Sequence, residues 1–119
     1  MEYTKDDLID FSTVQNLIDL GGDEGKGFLK EIIDLYIEQY PELFNNIKSG
    51  SLKNDSVLMF QSAHALKGAS LNVGAKELAL LCKKVELKGK ENDMSGISEL
   101  IKEIENVYPV TIEELKKMC

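Results

Sequence analysis

"HALKGAS", residues 64–70, carries the chain's single histidine four residues before a glycine. Placed on a helix at 100° per residue with His64 at zero, Leu58, Met59, Ser62, Ala63, Leu66, Ala69, Ser70 and Val73 gather on the opposite side. A stripe of that width marks a helix face turned to a core. Its small members, Ser62, Ala63, Ala69 and Ser70, let neighbouring helices approach closely. His64 then points outward, sharing its surface with Gln61 one turn before, Lys67 at i+3 and Gly68 at i+4. Val57, Phe60 and Leu71 fall on the same side and ring the imidazole with apolar groups, the pattern of a docking surface. A glycine within a helix costs roughly 1 kcal/mol relative to alanine. The bare backbone that Gly68 leaves beside the ring therefore needs a reason.

Outward from this stretch, every strong periodicity is helical, and no segment alternates cleanly as a strand would. A short first helix is expected to start after Ser12 or Thr13, carry Val14, Leu17 and Ile18, and stop at Gly21-Gly22. A second is expected over 23–47, with a kink near Ile37 to Tyr40 caused by Pro41. "KSGSLKND" (48–55) reads as a break before the histidine helix at 55–72. Asn72-Val73-Gly74 reverses the chain into a fourth helix over 75–88. "GKENDMSG" (89–96) reads as a polar loop. The last helix follows with Ile97, Leu100, Ile101, Ile104, Val107, Ile112 and Leu115, and Pro109 is expected to kink or split it. Four substantial helices on short connections predict an all-α, antiparallel up-down-up-down four-helix bundle with a short additional N-terminal helix across one end.

At 119 residues, the chain is the size of one domain, so residues 1–119 are expected to form a single unit. A hydrophobic fraction of 43% excludes the composition of a disordered chain. No apolar run approaches the ~18 residues of a membrane span, and Met1 to Asp7 lack the basic-then-apolar order of a signal peptide. A cytoplasmic protein is expected, and Met1 with the short termini leans towards a free-standing one. Cys82 and Cys119 lie far apart and are expected to be reduced thiols. The formal charge of −7 opposes nucleic-acid binding, because backbone phosphates would be repelled.

A lone exposed histidine restricts the chemistry available. Imidazole titrates near pH 6.5, so at neutral pH one ring nitrogen is a free nucleophile while the other can be held by a hydrogen bond. Triad catalysis would need a second nucleophile and an orienting acid, and the chain has no nucleophile elbow, Gly-rich phosphate loop or H-E-x-x-H motif. With one histidine and one core-facing cysteine, a zinc site would have to rely mainly on carboxylates, so no metal ligand is assigned. What remains is an imidazole that itself accepts a group delivered by another protein. A cation one turn away and a missing side chain alongside suit an anionic group on a bulky partner.

"HALKGASLNVGAKELALLCKKVE" (64–86) resembles the signature of histidine-containing phosphotransfer (HPt) domains: H-x-L-K-G-(S/A)-(S/A)-x-x-x-G-A, then Leu, Cys and a closing acid or amide. His64, Leu66, Lys67, Gly68, Ala69, Ser70, Gly74, Ala75, Leu78, Cys82 and Glu86 match it. "LIDLGGDEGKGFLKEIIDLYIEQYPELFNNI" is similar to the family's first two helices. The resemblance implies that His64 is the phosphoacceptor through Nε2. By the same resemblance Lys67 stabilises the phosphoryl oxygens, Gly68 gives the partner clearance, and Glu86 orients the ring through Nδ1. Val57, Phe60, Gln61, Leu71, Lys83 and Lys84 are the expected docking residues, with Lys88 a further source of positive potential.

The family further implies relay between receiver-domain aspartates in a two-component phosphorelay. The expected partners are response-regulator receiver domains and a hybrid sensor kinase, with no nucleic acid, no membrane, and a monomeric chain. No cofactor is expected on this domain, since in the family the Mg²⁺ belongs to the receiver. No autonomous kinase activity is expected either. The alternative is a catalytically silent helical adaptor that docks receivers without transfer.

Overall fold

The computed structural model describes residues 3–119. Six helices follow one another: α1 (Lys5–Leu8), α2 (Phe11–Leu20), α3 (Gly25–Leu52), α4 (Ser56–Val73), α5 (Lys76–Lys90) and α6 (Ile97–Lys116), with a 3-10 turn at Gly22–Glu24. No strand occurs among the described residues; one isolated bridge pairs Ile9 with Ala75. Helices α3 to α6 pack in sequence order and α6 closes back on α3, which is the expected four-helix bundle. The N-terminal segment lies over the end at which α4 turns into α5, with α1 against α5 and α6 and α2 against α3 and α4.

Local chemistry explains most boundaries. Thr4 and Asp7 form a reciprocal capping box that starts α1, a helix the periodicity did not reveal. Asp10 caps α2 by accepting from the Ser12 and Thr13 amides, so α2 begins before Ser12 rather than after it. Asp55 caps α4 through the Leu58 amide. Gly74 ends α4 with φ +84°, a left-handed conformation that a Cβ would strain. A Cβ there would also lie 3.0 Å from the Asp10 carbonyl oxygen and 3.1 Å from Val14. One glycine thus makes the α4–α5 turn and lets the N-terminal segment cross it.

Two expected boundaries are corrected. α3 runs on through most of "KSGSLKND" to Leu52, because Gly50 is buried where the backbones of α3 and α4 meet. A Cβ on Gly50 would stand 2.8 Å from the Met59 amide nitrogen. α5 likewise runs past Lys88 to Lys90, with Gly89 buried under Phe60. Both prolines are contained within continuous helices, Pro41 in α3 and Pro109 in α6, so the last helix is not split.

The core is one cluster. α3 contributes Leu29, Ile33, Tyr36 and Ile47; α4 contributes Met59, Ala63 and Leu66; α5 contributes Leu78, Leu81 and Val85; and α6 contributes Ile104, Val107 and Leu115. At about 25 cal/mol per Å² of apolar surface removed from water, this burial is the main source of stability. The face of α4 opposite His64 is buried as expected, except that Leu58 and Ala69 are only half covered. Buried Ser70 is tolerated in this core because its hydroxyl lies 2.7 Å from that of Tyr36. Tyr40 stacks between Phe44 and Tyr108, binding α3 to α6 at that level. Both cysteines are free thiols. Burial, with the Glu86 charge nearby, pushes the Cys82 thiol up to about 12 and leaves it inert.

Candidate functional site

The α4–α5 hairpin sets the register of the site. Ala75 lies eleven residues after His64 and eleven before Glu86, so in two antiparallel helices these residues come to the same level. His64 Nδ1 is 2.8 Å from Glu86 Oε2. The side chain of His64 is 66% exposed and that of Glu86 only 4%. An ionised carboxylate can only accept, so the proton of the neutral ring sits on Nδ1. The lone pair of Nε2 is then on the solvent side. The imidazole stands at the surface, held from beneath by a buried anion.

Glu86 is not held by the histidine alone. Lys67 Nζ donates to its Oε1 at 2.7 Å, and Lys90 Nζ lies 3.3 Å from Oε2. Burial by itself would raise the pKa of this carboxyl. The hydrogen bonds from Lys67, His64 and Lys90 outweigh that and hold it down to about 2. The carboxylate is therefore ionised throughout the physiological range, and its bond to Nδ1 fixes the orientation of the ring.

The expected site residues fall into three groups. His64, Lys67 and Glu86 are joined by direct contacts. Gly68 is on the same surface, and a Cβ built on it would meet nothing within 4 Å. Neither packing nor backbone conformation in this chain asks for a glycine there. Val57 and Leu71, each seven residues from His64, are exposed on either side of it along α4, about 10 Å away in each direction.

Gln61 is exposed, and with Phe60, His64, Glu86 and Lys90 it lines a shallow hollow of about 260 Å³. Lys83 is exposed across from Lys67 and shares a second hollow with it and Leu71.

Three expectations need correction. Phe60, expected among the exposed docking residues, is half-buried because it packs on Gly89 of α5. Lys84 is two residues from Glu86 and so lies on another side of α5, where its charge partly offsets the rise that burial imposes on the Glu77 pKa. Lys88 turns away to Asp93 and Ser95. Lys90 was missed. Its signal was the i+4 spacing from Glu86, hidden because the helix was expected to end at Lys88.

A four-helix bundle here presents a surface imidazole anchored on a buried carboxylate and flanked by a lysine and a bare glycine, the arrangement of a group-accepting histidine. The family model for the Hpt domain matches residues 31–115, and the chain belongs to that family. Among curated proteins it is 25% identical over 93 residues to multistep phosphorelay regulator 1 of Schizosaccharomyces pombe, a match that takes in 78% of this chain and 32% of that protein. It is 23% identical over 82 residues to the phosphorelay intermediate protein YPD1 of Candida albicans, covering 69% of this chain and 44% of that one. The chain therefore spans less than half the length of these curated relatives. Its fold matches the crystal structure of histidine-containing phosphotransfer protein B from Pseudomonas aeruginosa PAO1 with a TM-score of 0.75 and 22% identity, over 92% of this chain and 91% of that one.

Proposed function

We propose that this chain relays a phosphoryl group through Nε2 of His64 between aspartates of receiver domains. The observation that carries this reading is the 2.8 Å contact between a 66% exposed imidazole and a buried carboxylate. It fixes the tautomer and presents a free lone pair to an incoming protein. In the forward step, the Nε2 lone pair forms the N–P bond while the aspartyl O–P bond breaks and its electron pair returns to the carboxylate. The ring becomes an imidazolium. No proton has to leave, because Nδ1–H stays on Glu86. The cationic ring remains a good leaving group, which suits onward transfer to a second aspartate by the reverse chemistry.

Transfer of this kind is positioning and charge stabilisation. This chain would supply the aimed nucleophile and, through Lys67, a cation for the phosphoryl oxygens. The receiver would supply its aspartyl phosphate and Mg²⁺, with no cofactor on this domain and no kinase activity of its own. A hybrid sensor kinase is the proposed source of the phosphoryl group, and a cytoplasmic monomer the proposed working form. No helix among the described residues is long and apolar enough to cross a membrane.

Mixing the protein with a phosphorylated receiver domain tests the reading. The expected product is an acid-labile, base-stable phosphate on this chain, lost completely in His64→Gln with helical content unchanged. A mutant that still labels would overturn the assignment of His64, and docking without any label on the wild-type chain would leave only an adaptor.

A further inference from the structure

We propose that Lys90 is a positioning residue: its ammonium neutralises Glu86 and thereby releases Lys67 to the phosphoryl group on His64. This rests on the phosphotransfer reading above and adds a residue to it. At rest Lys67 is committed elsewhere, since its Nζ is 2.7 Å from Glu86 Oε1 and its side chain is only 24% exposed. It cannot hold that oxygen and reach outward at the same time. If it left with no Lys90 nearby, Glu86 would be a buried carboxylate with the imidazole as its one remaining partner, and a buried charge stripped of its counter-ion is strongly disfavoured. Lys90 removes that obstacle. It sits one turn along α5 from Glu86, is already 3.3 Å from Oε2, and is 55% exposed, so it has the freedom to close on the carboxylate.

The charges agree with this division. At rest two ammoniums, one carboxylate and a neutral imidazole leave one positive charge. A doubly charged phosphoryl group on an imidazolium brings the cluster to neutrality, and without Lys90 the phosphorylated site would carry an excess negative charge in a chain already at −7. The requirement arises from Glu86 being an acid. A neutral amide at position 86 would accept from Nδ1–H with no charge to offset, so the contribution of Lys90 should vanish when Glu86 is neutral.

That dependence is the test. Wild type, Lys90→Gln, Glu86→Gln and the double variant are incubated with phosphoramidate, and His64 labelling is followed by ³¹P NMR. In the reaction the P–N bond of the reagent breaks, the Nε2–P bond forms and the nitrogen leaves as ammonia. Because this donor needs no docking, the readout is independent of any partner.

Lys90→Gln should label about fivefold more slowly than wild type, the size of one half-exposed ion pair, and Lys90→Arg should restore the rate. In the Glu86→Gln background the same change should alter the rate by less than about twofold. Equal slowing in both backgrounds would mean that Lys90 acts directly on the phosphoryl group, and no slowing beside Glu86 would mean that it does not act; either overturns the proposal. In a parallel arm with a phosphorylated receiver, wild type that labels from phosphoramidate but from no receiver would sink the relay reading and leave the charge assignment standing.

Discussion

His64 has two unlike flanks. On the α5 side everything is built and occupied: Glu86 is buried with three donors around its two oxygens, and Gly89 lets Phe60 press directly onto the helix backbone. On the α4 side Gly68 leaves a gap: beyond the adjoining turns of its own helix, a Cβ there would meet nothing within 4 Å. Both glycines interrupt good helix formers, yet only one is explained by the fold. The closed flank is there to aim the ring, and stability should depend on it. The open flank contributes nothing to stability, and its emptiness has meaning only for something that arrives. Substitutions on the two sides should therefore separate folding from transfer.

The largest effect should come from the closed flank as the pH falls. The folded pKa of Glu86, about 2, lies below its ordinary value of 4.5, so ionisation favours the folded chain. The contribution is complete above about pH 4.5 and is lost as the pH drops from there through about 2. It amounts to something on the order of 3 kcal/mol across that window. Urea unfolding at pH 6 and pH 3 should show wild type losing clearly more stability than Glu86→Gln. Parallel losses would mean that the carboxylate is not held as tightly as its three contacts indicate.

Next in size is Gly89→Ala. Its Cβ would lie 2.6 Å from Phe60 Cβ and 3.2 Å from the Phe60 backbone, so the helices themselves must separate. Overpacking of this kind costs about 2 kcal/mol, seen as a lower denaturation midpoint with unchanged m-value. Labelling of His64 by phosphoramidate under folding conditions should fall only modestly. A stable Gly89→Ala variant would dissolve the contrast between the flanks, because it would show that the close approach at Phe60 is not required.

Much of this arrangement is legible in the sequence, and the failures share a cause. The 3.6-residue stripe of α4 places His64, Lys67 and Gly68 on one outward face and Ser62, Ala63 and Ser70 inside, because helix geometry alone decides such questions. The contact to Glu86 is between helices, and periodicity within one helix cannot see it; here it came from the family resemblance. It could also have been derived, since the turn at Gly74-Ala75 puts His64 and Glu86 level. Gly50 and Gly89 fall in stretches that read as a break and a polar loop, yet both are sites of close approach. A glycine serves either purpose, and only the partner, Met59 or Phe60, tells which. That misreading ended a helix two residues early and concealed Lys90.

Gly68 supplies the smallest and most discriminating pair of tests. Gly68→Ala should stabilise the protein by about 0.5 to 1 kcal/mol, since alanine gains helix propensity and its methyl meets nothing. Denaturant titration would show the midpoint rise. Gly68→Gln should also fold normally, as the added side chain enters open space, but it should slow transfer from a phosphorylated receiver about tenfold, equivalent to about 1.4 kcal/mol. Its labelling by phosphoramidate, a donor too small to be obstructed, should stay close to wild type. This split is what clearance requires: a residue that the fold would prefer to lose and that only a bulky donor notices. Equal slowing with both donors would instead place the effect on the imidazole itself, and the gap beside it would have to be explained within the chain.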